Sequence, residues 1–120
     1  MVDNQQIFER EQVIQRLGDE EVFKEIISVF LETCPQYMIQ LEEAIQAKEL
    51  SDAQKAVHKL KGAASNVGSD LVRDNALSVE QAIEKQDYTS IFSRFSDLKE
   101  NTQALQDILV QELEKNQNKT

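Results

Sequence analysis

The sequence predicts an all-α fold, an antiparallel up-and-down four-helix bundle with an additional short N-terminal helix. Three observations carry this reading. Apolar residues recur at three- and four-residue spacings along almost the whole 120-residue chain, the mark of helices that each bury one face. One proline and three glycines leave little material for turns. The connections between periodic segments are short, which makes consecutive helices antiparallel neighbours. No strand pattern, internal repeat, low-complexity segment or linker interrupts the series, so residues 1–120 read as one domain, ordered over about 7–115.

Residues 1–6 are expected to fray. Ile7 and Phe8 are apolar and either cover one end of the core or stay partly exposed for a partner. Val13, Ile14 and Leu17 define a short helix over Arg10–Leu17, stopped by Gly18. Asp19 is the expected N-cap of a long helix over about 19–48. Its stripe is Phe23, Ile27, Phe30, Cys34, Met38, Leu41 and Ile45. The stripe passes Pro35 without losing phase, so one kinked helix is expected rather than two helices broken at Thr33–Pro35. Cys34 lies on the stripe, which assigns it to core packing rather than to thiol chemistry.

Lys48-Glu49-Leu50 leads into the segment Ser51–Gly68, SDAQKAVHKLKGAASNVG. Ser51 is the expected N-cap, with Gln54 completing a capping box, and Gly68 is the stop. Ala53, Val57, Leu60, Ala64 and Val67 form its inner stripe. Ser69 can cap a helix over about 70–85 with Val72, Ala76, Val79 and Ile83 inward. Gln86-Asp87-Tyr88 is a turn, with Asp87 as cap. The last helix spans about 88–115 with Ile91, Phe95, Leu98, Thr102, Leu105, Leu109 and either Glu112 or Leu113 inward. Residues 116–120 are expected to be disordered.

Composition narrows the function. The net charge is −9, which disfavours binding to nucleic acid or to anionic membrane surfaces. A single cysteine cannot form an intrachain disulfide and suits a reducing, cytoplasmic setting. No apolar run approaches the length of a membrane span. One histidine and one cysteine do not make a zinc site. There is no glycine-rich phosphate loop, so autonomous kinase activity is not expected. Acidic pairs such as Glu20-Glu21 and Glu42-Glu43 read as solvated charge.

The Ser51–Gly68 segment is the exception to this blandness. It holds the sole histidine, His58, and between Asp52 and Asp70 it has no carboxylate but three lysines, Lys55, Lys59 and Lys61. On a helix, His58 projects roughly 150° from the centre of the apolar stripe and so faces solvent. Gln54, Lys55, Lys61, Gly62 and Ser65 share that face. Gly62 costs about 1 kcal/mol in a helix interior relative to alanine, which is acceptable where something must approach closely. Lys55 and Lys61 would offset negative charge brought to the ring, while Lys59 lies further round. A lone helical histidine is most often an ordinary surface residue; the flanking lysines, the glycine and the missing carboxylates argue for a nucleophile that receives a phosphoryl group.

His58-Lys59-Leu60-Lys61-Gly62-Ala63-Ala64, followed by Val67-Gly68, resembles the H-x-L-K-G-(S/A)-(S/A)-x-x-(L/V)-G signature of histidine-containing phosphotransfer (HPt) domains. Leu17-Gly18-Asp19-Glu20-Glu21, with Phe30-Leu31-Glu32 and Pro35, is similar to the run that precedes the histidine in that family. The likeness covers about residues 8–115, and Asn75 departs from it, standing where an apolar residue is usual in that family. It implies a phosphorelay intermediate. His58 would take a phosphoryl group from the aspartyl phosphate of a response-regulator receiver domain, and pass it to a receiver aspartate. It implies catalytic roles for His58, Lys61 and Gly62, to which helix geometry alone adds Lys55, and no cofactor of the chain's own, magnesium being expected on the partner. It implies receiver domains as partners, a hybrid sensor kinase upstream and a monomer that keeps one face open. By position and analogy, Phe8, Ile14, Leu17, Gln54, Lys59 and Ser65 are candidates for partner contact. The alternatives are an adaptor that binds a receiver without transfer, and a structural or oligomerisation bundle. The intact histidine and Gly62 speak against the first, and the polar outer face against the second.

Overall fold

The structure, a computed structural model, describes residues 7–117; the expected fraying of 1–6 and disorder of 118–120 lie outside them. Five helices follow one another: α1 (Arg10–Leu17), α2 (Glu20–Gln46), α3 (Leu50–Val67), α4 (Asp70–Glu84) and α5 (Tyr88–Gln117). Helices α2 to α5 form the bundle, each packed on the next, and α5 closes it against α2. Helix α1 lies across one end. The inner stripes meet in one core containing Phe23, Ile27, Leu41, Leu60, Leu98 and Leu105. Helix α2 runs unbroken through Pro35. Cys34 is fully buried, and burial pushes its thiol up to about 11, as removal from water does for any group that ionises to an anion. Helix α5 continues to Gln117 rather than stopping at 115, with Leu113 still packed against the core.

The reversals between bundle helices share one construction. Lys48, Gly68 and Gln86 have positive φ. In each case the following amide reaches back to a carbonyl five residues earlier: Glu49 to Ala44, Ser69 to Ala64 and Asp87 to Ala82. This is the Schellman arrangement, which satisfies carbonyls that the helix end leaves open. The residue that closes one helix also starts the next. Ser69 Oγ accepts from Val72 N and Asp87 Oδ1 from Ser90 N. At the first reversal this displaces the expected cap. Glu49 already occupies the N-cap position, without a side-chain bond, so α3 begins at Leu50. Ser51 is therefore an exposed first-turn residue and the capping box with Gln54 does not form.

Three polar contacts and one close approach set how the helices meet. Asn75 Oδ1 accepts from Asn101 Nδ2 at 2.7 Å across α4 and α5. That explains a polar residue at a largely apolar position, because a paired amide avoids the cost of an unsatisfied one. Helix α1 approaches the α3–α4 reversal so closely that a Cβ on Gly68 would overlap Val13 Cγ2. Glu9 N donates to Gly68 O, and Arg16 donates to Asn66 O.

Gly68→Ala therefore combines a left-handed backbone, φ 86°, with a steric overlap. It is expected to cost about 2 kcal/mol or more. A drop in the denaturation midpoint at unchanged m-value would register it.

Candidate functional site

Helix α3 positions the site. Its inner face carries Ala53, Ala56, Val57, Leu60, Ala64 and Val67, all buried. That fixes its rotation and leaves the imidazole of His58 71% exposed on the outer face. Gly62, one turn on, is also exposed, and a Cβ added there would meet nothing within 4 Å. Nothing inside the protein requires glycine at this position. The helix-propensity cost is offset only if the room is left for something outside.

The surroundings of His58 are not free of carboxylate. Glu80, from α4, lies against the ring with its side chain only 12% exposed. Its Oε1 accepts from Lys61 Nζ at 2.8 Å, and its Oε2 stands 3.5 Å from His58 Nδ1. The second spacing is an electrostatic contact rather than a formed hydrogen bond. A carboxylate facing Nδ1 favours a proton on that nitrogen, which leaves the lone pair on Nε2 directed outward. Lys61 holds Glu80 in place, so its ammonium is committed to a carboxylate in the free protein. The expectation of unopposed positive charge is corrected: the stretch lacks acids along the chain but not in space.

The other candidates divide. Lys55 is exposed one turn before the ring, beside Glu49 and Asp52 on an opening between α2 and α3. Gln54 donates to Glu84 at 3.4 Å. Lys59 is drawn toward α2, its Nζ 5.8 Å from the centre of the Tyr37 ring, and not toward His58. Ser65 is half-buried. Ile14 and Leu17 are partly buried against the core. Phe8 is 5% exposed and stacked on Phe23 with ring centres 5.8 Å apart. It covers the end of the core and presents no surface to a partner, because the stacking and apolar burial hold it inward.

An open groove of about 900 Å³ runs beside His58 between α1, α2 and α3. Leu17, Ile26, Val29, Phe30, Gly62 and Ala63 line it, with Arg16, Lys59 and Glu25 at its margins. Val29 is 58% exposed and Val22 38%. The signal for this surface was present in the sequence: Ile26 and Val29 recur at helical spacing off the core stripe, in line with Val22 outside the groove. Glu80 left no such signal, since it arrives from another helix.

The sequence model of the family described as Hpt domain matches residues 25–115. No curated protein matches the chain. Among solved structures, a candidate histidine-containing phosphotransfer protein from rice superimposes with a TM-score of 0.83 at 16% identity, covering 100% of this chain and 90% of that one. A histidine-containing phosphotransfer protein from maize gives 0.82 at 18% identity, covering 99% and 87%. At these identities the two structures establish a shared fold.

Three outcomes are expected. Gly62→Ala should stabilise the free protein by about 1 kcal/mol, read by denaturation. Phe8→Ala should cost roughly 3 kcal/mol as a core truncation. Glu80→Ala should shift His58 toward the tautomer protonated on Nε2, read from the ring nitrogen chemical shifts.

Proposed function

The chain belongs to the Hpt domain family, and on that premise we propose that it is a phosphorelay intermediate carrying its phosphoryl group on His58. The observation that supports this most directly is the outward, uncrowded imidazole with a carboxylate behind Nδ1. Phosphoryl transfer asks mainly for positioning and charge stabilisation. In this reading the Nε2 lone pair attacks the phosphorus of a receiver-domain aspartyl phosphate. The N–P bond forms as the P–O bond to the aspartate breaks, and the aspartate leaves as a carboxylate. The ring keeps its Nδ1 proton and becomes cationic, and Glu80 offsets that charge. In the return step a receiver aspartate attacks the same phosphorus and His58 regains its lone pair.

The remaining residues are assigned by reach. Gly62 admits the partner's active-site loop. Lys55 offsets phosphoryl charge from one side. Lys61 acts first through Glu80 and meets the phosphoryl group only if that pair opens. The groove beside His58 receives the receiver's docking surface, with Ile26, Val29 and Leu17 as apolar contacts. Magnesium is placed on the receiver. Among the described residues, no three His, Cys, Asp or Glu side chains converge to hold a metal, and no helix is long and apolar enough to cross a membrane.

Incubation with a phosphorylated receiver domain should transfer acid-labile, base-stable phosphate to the protein. His58→Gln should abolish the label. Label retained by that variant would remove His58 from the mechanism and leave the adaptor reading for the surface.

A further inference from the structure

We propose that Arg10 and Glu112 are positioning residues for partner docking, because they hold α1 where Arg16 and Leu17 complete one wall of the groove beside His58. The proposal rests on the reading of that groove as the docking surface. Helix α1 has eight residues and fully buries only Val13. A helix so short has no stability of its own, so its place is decided by what ties it down.

Among the described residues, the ion pairs that tie α1 to other helices all pass through Arg10. Its Nε donates to Glu112 Oε2 at 2.8 Å, and a terminal nitrogen donates to Glu20 Oε1 at 3.1 Å. Its guanidinium carbon lies 5.9 Å from the centre of the Phe23 ring. Glu20 is half-exposed, whereas the Glu112 side chain is only 10% exposed. Among the described residues Arg10 is the one cation in an ion pair with Glu112. A charge-assisted bond shielded from water is worth more than an exposed one. The Arg10–Glu112 pair is therefore the dominant tie, and it fastens α1 to the last turns of α5.

The other end of α1 faces the groove. Arg16 and Leu17 line it, opposite Ile26, Val29, Gly62 and Ala63. Arg16 is held by its bond to Asn66 O on α3. Loosening the Arg10 end would leave this wall to hang from Arg16, from the bond between Glu9 N and Gly68 O, and from the packing of Val13, Ile14 and Leu17. The catalytic face of α3, fixed by its own buried stripe, would be untouched. The pair should thus govern how tightly a receiver binds and not how fast the bound complex reacts.

Glu112→Gln removes the charge and keeps the shape. Two measurements on the full chain test the proposal: amide exchange over residues 10–17, and transfer from a phosphorylated receiver domain as a function of receiver concentration. Exchange over α1 should rise about tenfold, the loss expected for one charge-assisted bond, with α3 and α4 unchanged. The half-saturating receiver concentration should rise as the closed fraction of α1 falls, at an unchanged saturating rate. Arg10→Lys, which keeps the charge, should fall between wild type and Glu112→Gln. The proposal is overturned if α1 exchange is unchanged, if it rises without any change in half-saturation, or if the saturating rate falls instead. Failure of the wild-type protein to accept phosphate would sink the relay reading itself, and the docking role with it.

Discussion

The structure depends on the difference between the two faces of α3. Its inner face is built from alanine, valine and one leucine, small enough for α2 and α4 to pack closely against it. Every residue there is buried, which leaves the helix no freedom to roll. The outer face inherits its orientation from that packing. His58 is held out because Val57 and Leu60 are held in. A site made of one imidazole needs little else from its own scaffold than a rigid platform and a clear approach.

Behind the ring the protein supplies one more group, and it comes from the neighbouring helix. Glu80 spans Lys61 and His58, so the site is a cross-helix constellation rather than a property of α3. This changes how the lysines should be understood. Lys61 does not stand free, Lys59 leans on Tyr37, and of the three only Lys55 has no ion pair or ring contact among the described residues. Charge near His58 is balanced rather than uniformly positive. A balanced site can accept an anionic group without binding it so firmly that it cannot leave, which suits the carrier role proposed above.

Much of this was legible in the sequence, for reasons that differ by residue. The helices and the outward direction of His58 follow from periodicity, which is local. Gly62 was legible as an anomaly of propensity. The family signature, from His58 to Gly68, agreed with both. What was not legible depends on contacts between segments distant along the chain. The absence of acids near His58 in sequence said nothing about α4. Phe8 was apolar and near the start, and only its stacking on Phe23 decides that it is core. Asn75 was out of place until Asn101 supplied its partner. Ser51 had the right chemistry for a cap, but the reversal ahead of it had already placed Glu49 there. Lys48 and Gln86 take left-handed backbone conformations that neither residue type advertises.

Those reversals leave the connections without slack. Where one residue both ends a helix and begins the next, an added or deleted residue has no loop to disappear into. It would instead turn everything downstream by about a quarter of a revolution and carry an apolar stripe away from the core. Variation in length is thereby confined to the two ends of the chain. Diversification within the bundle must proceed by exchanging side chains on a backbone of fixed count.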